Sequence, residues 1–397
     1  MGEPVNVLML NYEYPPLGGG AGNATAYLLR ELTNLDDVSV TLVTSSTTSE
    51  RVERISDRIW IHFLDIGKRG NPHYQSNRDL LTYSWQSLRH CRGLIRSNAY
   101  NLCHAFFGIP SGVITRMLGL PYIVSLRGSD VPFYNERFRI PDLLLFRRLS
   151  VRVWRDAARV VANSQQLRSL ALQSSPQQKI EVIPNGVDVA EFQPAPCPLD
   201  PTEMRILCVS RLIARKRIDV LIKSLAIVRD LPVSLTLVGT GNEESQLRQM
   251  VKELNLGQIV RFEGYVSHDC IAKVYQQSNL FVLPSANEGM SNTVLEAMAC
   301  GLPILMRQTG GTEELIQDGS NGFVLHSGSS DEIAGRIRLY CERPEMLSIH
   351  GKASRKIAES LSWRNVAQDY HQLYLTIAER RLSLRNSRVL ESGRQGR

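Results

Sequence analysis

The stretch LFVLPSANEGMSNTVLEAMACGLPI, Leu280–Ile304, contains the structural unit that recurs along this chain. It begins with an apolar run typical of a buried parallel strand, passes through a short polar loop, and then shows apolar residues at helical spacing. Ser291 or Asn292 can cap this helix, and Gly301 followed by Pro303 can end it. The stretch therefore predicts a strand, a loop, a helix and a second strand.

Similar units occur on both sides of this stretch. Short Val-, Ile- and Leu-rich runs alternate with helix-length amphipathic segments, which predicts an α/β fold with parallel sheets. The pattern starts again after the middle of the chain, so we predict two doubly wound, Rossmann-like domains. The predicted strands are VNVLML, VSVTLVT and YIVSL in the first half, and RILCVS, SLTLVG, LFVLPS and PILM in the second.

The segment PAPCPLDP, Pro194–Pro201, marks the predicted domain boundary. Proline cannot donate to a strand ladder and resists helix, so this segment is predicted to be a linker. An N-terminal domain is then expected over 1–193 and a C-terminal domain over 202–362. Apolar residues at helical spacing predict a last helix over 363–382 that returns to the N-terminal domain, followed by a basic, flexible tail over 383–397.

The composition is that of a soluble globular enzyme. Of the 397 residues, 43% are hydrophobic and 21% are charged, which is close to the average for such proteins. Seven cysteines without a CxxC pair fit no disulfide framework and predict a reducing compartment. The N-terminus lacks the pattern of a secretory signal, and we expect no transmembrane segment. These features predict a cytoplasmic protein.

Two glutamates, Glu288 and Glu296, flank the predicted start of the helix. Helix N-termini carry unpaired N–H groups and partial positive charge, so they bind phosphate well. Gly289 lets a ligand approach the backbone closely, and carboxylates accept hydrogen bonds from hydroxyls. The stretch therefore fits a nucleotide sugar, although both acids can also be ordinary surface charges. The candidate phosphate-binding residues are Met290, Ser291, Asn292 and Thr293.

The E-x7-E pattern followed by AMACGLPI resembles the retaining glycosyltransferases of family 4, which have the two-domain GT-B fold with a cleft between the domains. Four further segments resemble signatures of that family and occur in the same order. They are VANSQQL, VIPNGVD, VSRLIARKRIDVLI and QTGGTEELIQDGSNGFVL. The resemblance extends from Val7 to Leu373. It implies a metal-independent enzyme that moves a sugar from a nucleoside diphosphate to a hydroxyl of a glycan or lipid-linked acceptor in cell-surface polysaccharide or glycolipid synthesis.

The resemblance also implies roles for individual residues of the second domain. Arg211 and Lys216 match the diphosphate-binding cations of the family. Fixed cations at that position stabilise the charge that develops on the departing diphosphate. Glu296 is expected to hold the ribose, and Glu288 the hydroxyls of the donor sugar near the reacting carbon. The backbone at Val266 resembles the segment that contacts the nucleobase.

In the first domain, the glycine pair Gly19 and Gly20 is expected to approach the donor phosphates, although a flexible turn is the alternative. Arg127 stands where the family usually has histidine. Arginine cannot act as a base near neutral pH, but it can bind a sugar hydroxyl, a phosphate or an anionic acceptor. His104, at the end of a predicted strand, fits a structural role as well as a site role.

Neither a metal nor a cofactor is expected. The chain has no convincing DxD motif, and Asp130, the nearest candidate, is discounted. Three alternatives to the transferase remain. One is a nucleotide-sugar epimerase or a phosphorylase on the same fold, and another is a non-catalytic glycan-binding scaffold. The third, a nicotinamide oxidoreductase, is weakened because the glycines after the first strand do not form G-x-G-x-x-G.

The net charge of +7 is partly concentrated in one predicted amphipathic helix, Pro141–Val161. Its arginine stripe can contact an anionic membrane surface, such as the inner face of the cell membrane. The alternative is an ordinary helix whose apolar side faces the core. Nucleic acid is not expected, because no binding motif is present. The stripe consists of Arg148, Arg152, Arg155 and Arg159.

Overall fold

The computed structural model describes residues 4–68, 75–134, 146–196 and 203–394. The chain divides into two compact units, each with its own apolar core. Unit 1 is built from Met1–Asn163, Leu167–Ile183 and Trp363–Arg397. Unit 2 is built from Ser164–Gln166 and Pro184–Ser362. Within the described ranges, no helix has both the length and the hydropathy needed to cross a bilayer.

The sheet of unit 1 has eight strands in the described residues, in the order β3-β4-β2-β1-β5-β6-β7-β8. All neighbouring pairs are parallel except β3 and β4. The predicted strands VNVLML, VSVTLVT and YIVSL lie in β1, β2 and β6. The strands are β1 (Val5–Leu10), β2 (Val38–Ser46), β3 (Arg51–Ser56), β4 (Ile59–Asp65), β5 (Leu102–Phe106), β6 (Tyr122–Leu126), β7 (Arg159–Ala162) and β8 (Glu181–Val182).

The sheet of unit 2 is wholly parallel in the described residues, with the order β11-β10-β9-β12-β13-β14. From β9 the chain proceeds outward to β11, and it then returns to the centre and proceeds outward on the other side. The direction therefore reverses between β9 and β12, where doubly wound sheets bind ligands. The strands are β9 (Met204–Val209), β10 (Val233–Val238), β11 (Val260–Gly264), β12 (Leu280–Leu283), β13 (Ile304–Arg307) and β14 (Gly322–Leu325).

Helices connect these strands, as parallel pairing requires. The α-helices of the described residues are α1 (Gly20–Leu32), α2 (Asn77–Ser97), α3 (Val113–Met117), α4 (Arg147–Asp156), α5 (Gln165–Ser174), α6 (Ile218–Ile227), α7 (Glu244–Glu253), α8 (His268–Gln276), α9 (Asn292–Ala299), α10 (Thr312–Leu315), α11 (Ser330–Glu342), α12 (Glu345–Ser360) and α13 (Trp363–Arg394). A 3₁₀ turn, Ala214–Lys216, precedes α6.

The boundary between the units lies before the proline-rich segment. Val187 and Phe192 are buried in the core of unit 2. The guanidinium of Arg355, on α12, donates to the carbonyl oxygens of Phe192 and Ala299 at 2.7 Å each. Residues from Pro184 onward therefore belong to unit 2, whereas the sequence placed the boundary at residue 193. Residues 197–201 of the predicted linker lie outside the described residues.

The terminal helix α13 belongs to unit 1. At its start, the ring of Trp363 stacks on Tyr27 of α1, with a centroid distance of 5.6 Å. Further along, Arg381 donates to the carbonyl oxygens of Tyr100 and Asn101 at 2.7 Å each. The helix continues to Arg394, whereas the sequence predicted a flexible tail from residue 383.

A buried polar network joins α13 to β5 and β6. His104 is fully buried, with Nδ1 2.7 Å from the hydroxyl of Tyr374 and Nε2 2.7 Å from Oγ of Ser125. Oγ of Ser125 is also 2.9 Å from the hydroxyl of Tyr370. Both ring nitrogens of His104 are therefore engaged within the core, which supports the structural role left open by the sequence.

This network predicts that unit 1 loses stability in mild acid. Burial, and next the charge of Arg127, lower the pKa of His104 well below its usual value. The unfolded chain takes up this proton below about pH 6.5 while the folded chain does not, so stability falls as pH decreases. The urea midpoint, measured at several pH values between about 7.5 and 5.5, should fall less steeply in His104→Gln than in wild type. Equal slopes would contradict the prediction.

Candidate active site

Two loops of unit 2 meet at the point where the sheet reverses direction. The loop after β9 carries Lys216, and the loop after β12 carries Glu288; the two side chains form a close ion pair. Each is only 11% exposed. The backbone N–H of Ala286 donates to the carbonyl oxygen of Arg215 at 2.8 Å, which joins the same two loops. Two site residues chosen from the sequence for separate roles are therefore direct partners.

Arg211, the other candidate cation, is exposed on the loop that follows β9. Two glycines after β10 shape the backbone beside it. A Cβ atom on Gly239 would lie 2.0 Å from the carbonyl oxygen of Ser210, and one on Gly241 would lie 2.1 Å from that of Leu212. Only glycine allows this approach, because real Cβ atoms do not come so close to backbone oxygen. The glycines of LVGTGN thus pack directly against the cationic loop.

A second glycine contact supports the loop that carries Glu288. The N–H of Gly310 donates to the carbonyl oxygen of Glu288 at 3.0 Å. A Cβ atom on Gly310 would lie 2.2 Å from that oxygen and 2.3 Å from the carbonyl oxygen of Gly289. Gly311 follows with a φ of +84°, which favours glycine. The Gly-Gly pair of QTGGTEEL is therefore a backbone support for the Glu288 loop.

The VIPNGVD segment supports the same loop from another direction. The N–H of Asn185 donates to Sδ of Met290 at 3.1 Å. The side-chain amide of Asn185 donates to Oδ1 of Asn292 at 2.8 Å. Three of the segments that carried the family resemblance thus converge on residues 288–292.

The start of α9 differs from the sequence prediction in how the helix is capped. Ser291 occupies the N-cap position, but its side chain makes no capping hydrogen bond. The hydroxyl of Ser291 instead lies 3.0 Å from that of Thr293, and Oδ1 of Asn292 accepts from Asn185. The first turn of α9 contains no acidic residue. The prediction that Ser291 or Asn292 caps the helix is therefore wrong, and the helix start suits an anion.

Glu296 lies one turn inside α9 and has a partner that the sequence did not indicate. The hydroxyl of Tyr275, on α8, donates to Oε2 of Glu296 at 2.8 Å. Burial, with a smaller contribution from the charge of Glu191, raises the pKa of Glu296 to about 7. Tyr275 is itself fully buried. Its position at helical spacing in HDCIAKVYQ predicts a core residue but gives no signal for this hydrogen bond.

The remaining donor-site candidate of unit 2 is Val266, in the segment after β11. Val266 is partly buried and packs against the core of unit 2. Its neighbour Tyr265 is 71% exposed. The contact between the Val266 backbone and a nucleobase remains a prediction.

In unit 1, Arg127 follows β6 and is held by its own unit. Its guanidinium lies 4.3 Å from the centroid of the Phe106 ring, and Nη2 is 3.4 Å from the hydroxyl of Tyr370. Asp130 accepts from the backbone N–H groups of Arg127 and Gly108 at 2.9 and 2.7 Å. Asp130 is thus used to shape the loop that presents Arg127.

The glycines of the loop before α1 differ in how closely the rest of unit 1 packs against them. A Cβ atom on Gly18, which has a φ of +88°, would lie 2.6 Å from the side chain of Glu13. A Cβ atom on Gly19 would meet nothing within 4 Å. Gly20 begins α1. Packing within unit 1 therefore does not require glycine at residue 19.

The arginine stripe predicted for residues 141–161 is not one helical surface. Residues 141–145 lie outside the described residues, and α4 ends at Asp156. Arg159 is the first residue of β7, and its Nε is 3.0 Å from Oε1 of Glu181. The β-branched pair Val160–Val161 favours this strand. Of the predicted stripe, α4 therefore holds Arg148, Arg152 and Arg155.

Two family models match the chain. The model described as Glycosyltransferase Family 4 matches residues 18–191, and the model described as Glycosyl transferases group 1 matches residues 189–357. The chain is also 24% identical over 393 residues to a D-inositol 3-phosphate glycosyltransferase of Pseudarthrobacter chlorophenolicus, covering 90% of this chain and 91% of that protein. Taken together, the two models span residues 18–357 of the 397-residue chain.

Solved structures give the same result for the fold. Sucrose-phosphate synthase from Thermosynechococcus elongatus superposes with a TM-score of 0.82 at 22% identity, covering 94% of this chain and 99% of that one. HepE from Anabaena in complex with UDP-glucose superposes with a TM-score of 0.69 at 20% identity, with coverages of 94% and 99%. The predicted GT-B fold of two doubly wound α/β domains is confirmed.

Proposed function

We propose, from the premise that this chain belongs to the group 1 glycosyltransferases, that it transfers a sugar from a nucleoside diphosphate to a hydroxyl group with retention of configuration. One observation supports this most strongly. Lys216, Glu288 and the uncapped start of α9 meet where the sheet of unit 2 reverses direction. That is the position at which doubly wound sheets bind nucleotides.

The site residues fit distinct parts of such a donor. Arg211, Lys216 and the N–H groups at the start of α9 would hold the diphosphate, because all three carry positive charge or partial positive charge. Glu296 would accept hydrogen bonds from the ribose hydroxyls, with Tyr275 fixing its second oxygen. Glu288 would hold hydroxyls of the transferred sugar while it remains paired with Lys216.

The proposed reaction breaks the bond between the anomeric carbon and the diphosphate oxygen. The acceptor oxygen forms its bond on the same face of the sugar, and its proton passes to the departing diphosphate. The site needs no divalent metal in this proposal, because two cations and a helix start can stabilise the leaving group. Arg127 would contact the donor sugar or an anionic acceptor, since it cannot serve as a base.

For the acceptor, we propose a chemical class and no individual molecule. We propose a hydroxyl of a glycan or a lipid-linked molecule, in the synthesis of a surface polysaccharide or glycolipid. The Pseudarthrobacter relative is named a D-inositol 3-phosphate glycosyltransferase. A phosphorylated acceptor would also suit the half-buried cationic side chain of Arg127.

Calorimetric titration with UDP, GDP and ADP tests the donor site. HepE was solved with UDP, and starch synthase IV from Arabidopsis thaliana was solved with ADP, so the three bases should be compared. We expect one nucleotide to bind as tightly in EDTA as in magnesium. Binding that requires magnesium would contradict the metal-free site, and binding of none would favour a non-catalytic scaffold.

In the same titration, Glu296→Ala should weaken nucleotide binding by roughly tenfold or more, as expected for a lost hydrogen bond to a charged group. The pKa of Glu296 is raised to about 7, so its carboxylate becomes ionised as pH rises through neutrality. The difference in nucleotide affinity between wild type and Glu296→Ala should therefore increase with pH. Glu345→Ala, which removes an exposed acid of α12, is the matched control. Normal nucleotide affinity in Glu296→Ala would remove the ribose assignment.

A further inference from the structure

One face of α2 exposes apolar and basic side chains together. Leu81 is 72% exposed and Trp85 is 64% exposed, although both are large hydrophobic residues. Residues spaced by three or four positions share one side of a helix. The exposed residues at this spacing form what we call the α2 stripe: Arg78, Leu81, Trp85, Arg89, Arg92 and Arg96.

The opposite side of α2 fixes the helix to unit 1. Tyr83, Ser87 and Cys91 are fully buried. The hydroxyl of Tyr83 donates to the carbonyl oxygen of Val43 at 3.0 Å. Because α2 is anchored through this side, the α2 stripe faces outward as a fixed surface.

The charge on the α2 stripe has one sign. Asp79, the sole acid of α2, lies at its first turn and is paired with Lys68 at 2.7 Å. In the part of the chain that the structure describes, none of the four arginines forms an ion pair. The guanidinium of Arg89 lies 5.9 Å from the centroid of the Trp85 ring. The stripe is thus an apolar centre of Leu81 and Trp85 flanked by positive charge.

We propose that the α2 stripe docks this protein on a bilayer that contains anionic lipids. Tryptophan favours the headgroup level, and a leucine beside it can enter the acyl boundary. Each arginine near an anionic surface contributes roughly fivefold to affinity. The partner therefore needs both negative charge and an apolar layer beneath it, which a bilayer surface provides.

Other occupants fit the surface less well. A two-fold contact between copies would bring four arginines against four, since such a contact uses the same patch twice. A nucleic acid backbone would use the arginines but would leave Leu81 against phosphate. The arginines of α4 lack an exposed apolar centre, because Val153 and Trp154 of that helix are buried. The α2 stripe is therefore the better membrane surface.

The proposal does not depend on glycosyl transfer, because docking is measured without donor or acceptor. The test uses sedimentation of the full chain with vesicles of phosphatidylcholine alone, or of phosphatidylcholine mixed with phosphatidylglycerol. We expect binding only to the mixed vesicles, and stronger binding at low salt. Equal binding to both vesicles, or binding to neither, would overturn the proposal.

Two variants test the stripe itself. Arg89→Glu/Arg92→Glu should lower affinity for the mixed vesicles more than tenfold, because each reversal replaces an attraction by a repulsion. Leu81→Ser/Trp85→Ser should also weaken binding while leaving all charges in place. The matched control is Arg148→Glu/Arg152→Glu, which makes the same charge change on α4 and should stay close to wild type. Circular dichroism and thermal unfolding verify that each variant is folded.

Three results would assign the surface differently. Loss of vesicle binding in the α4 variant alone would move the membrane contact to α4. Self-association of the wild type that Leu81→Ser/Trp85→Ser abolishes would make the stripe an interface between copies. Binding to duplex RNA, lost in Arg89→Glu/Arg92→Glu without any vesicle binding, would assign the stripe to nucleic acid. Each of these outcomes would overturn the proposal.

Discussion

Replacing Lys216 by alanine is expected to lower turnover about a hundredfold, equivalent to about 2.7 kcal/mol of lost transition-state stabilisation. Lys216 is held in a largely buried ion pair with Glu288 at the centre of the candidate site. If it faces the departing diphosphate, its charge matters most when the sugar–oxygen bond breaks. The loss should therefore appear mainly in kcat, with a smaller change in KM.

Steady-state kinetics with the donor identified by calorimetry would measure this effect. Lys223→Ala is the matched control, because it removes a half-exposed lysine on α6, paired only loosely with Asp219 at 3.8 Å. Lys216→Ala also leaves Glu288 without its partner, which lowers stability, so assays must run well below the thermal midpoint of the variant. Wild-type turnover in Lys216→Ala would show that the diphosphate lies elsewhere.

Much of the fold could be predicted because parallel strands covered on both faces are nearly continuous apolar runs. Runs such as RILCVS and LFVLPS needed no tertiary information to be recognised. The boundary between the units was placed too late because proline content is a local signal. Val187 and Phe192 join unit 2 through the core and through Arg355, more than a hundred residues away, and no local pattern indicates that contact.

The candidate site was predicted in its parts but not in its pairings. Helical signals placed Glu288 before α9 and Glu296 within it. The pair of Lys216 with Glu288 depends on β9 lying beside β12, and strand order is a tertiary property. The same limit applies to basic helices: α2 and α4 both carry arginines at helical spacing, but only packing shows that Leu81 and Trp85 remain exposed.

The second large effect is expected from Gly310→Ala, which should lower kcat/KM by roughly a hundredfold. The added methyl group would lie 2.2 Å from the carbonyl oxygen of Glu288 and 2.3 Å from that of Gly289. Neither oxygen belongs to a flexible side chain, so the two backbone segments must separate by a substantial fraction of an ångström. Misplacement on that scale is enough to disturb groups that must meet the reacting atoms.

The matched control for this change is Gly335→Ala. Gly335 lies within α11, and a Cβ atom there would meet nothing within 4 Å, so alanine should preserve activity and slightly favour the helix. Thermal unfolding of both variants distinguishes two causes of lost activity, a displaced loop in a folded protein and a failure to fold. A folded and fully active Gly310→Ala would contradict the prediction that glycine at residue 310 is needed to hold Glu288 in its active position. Loss of activity with the fold retained would support the role of Gly310 in maintaining the geometry of the Glu288 loop.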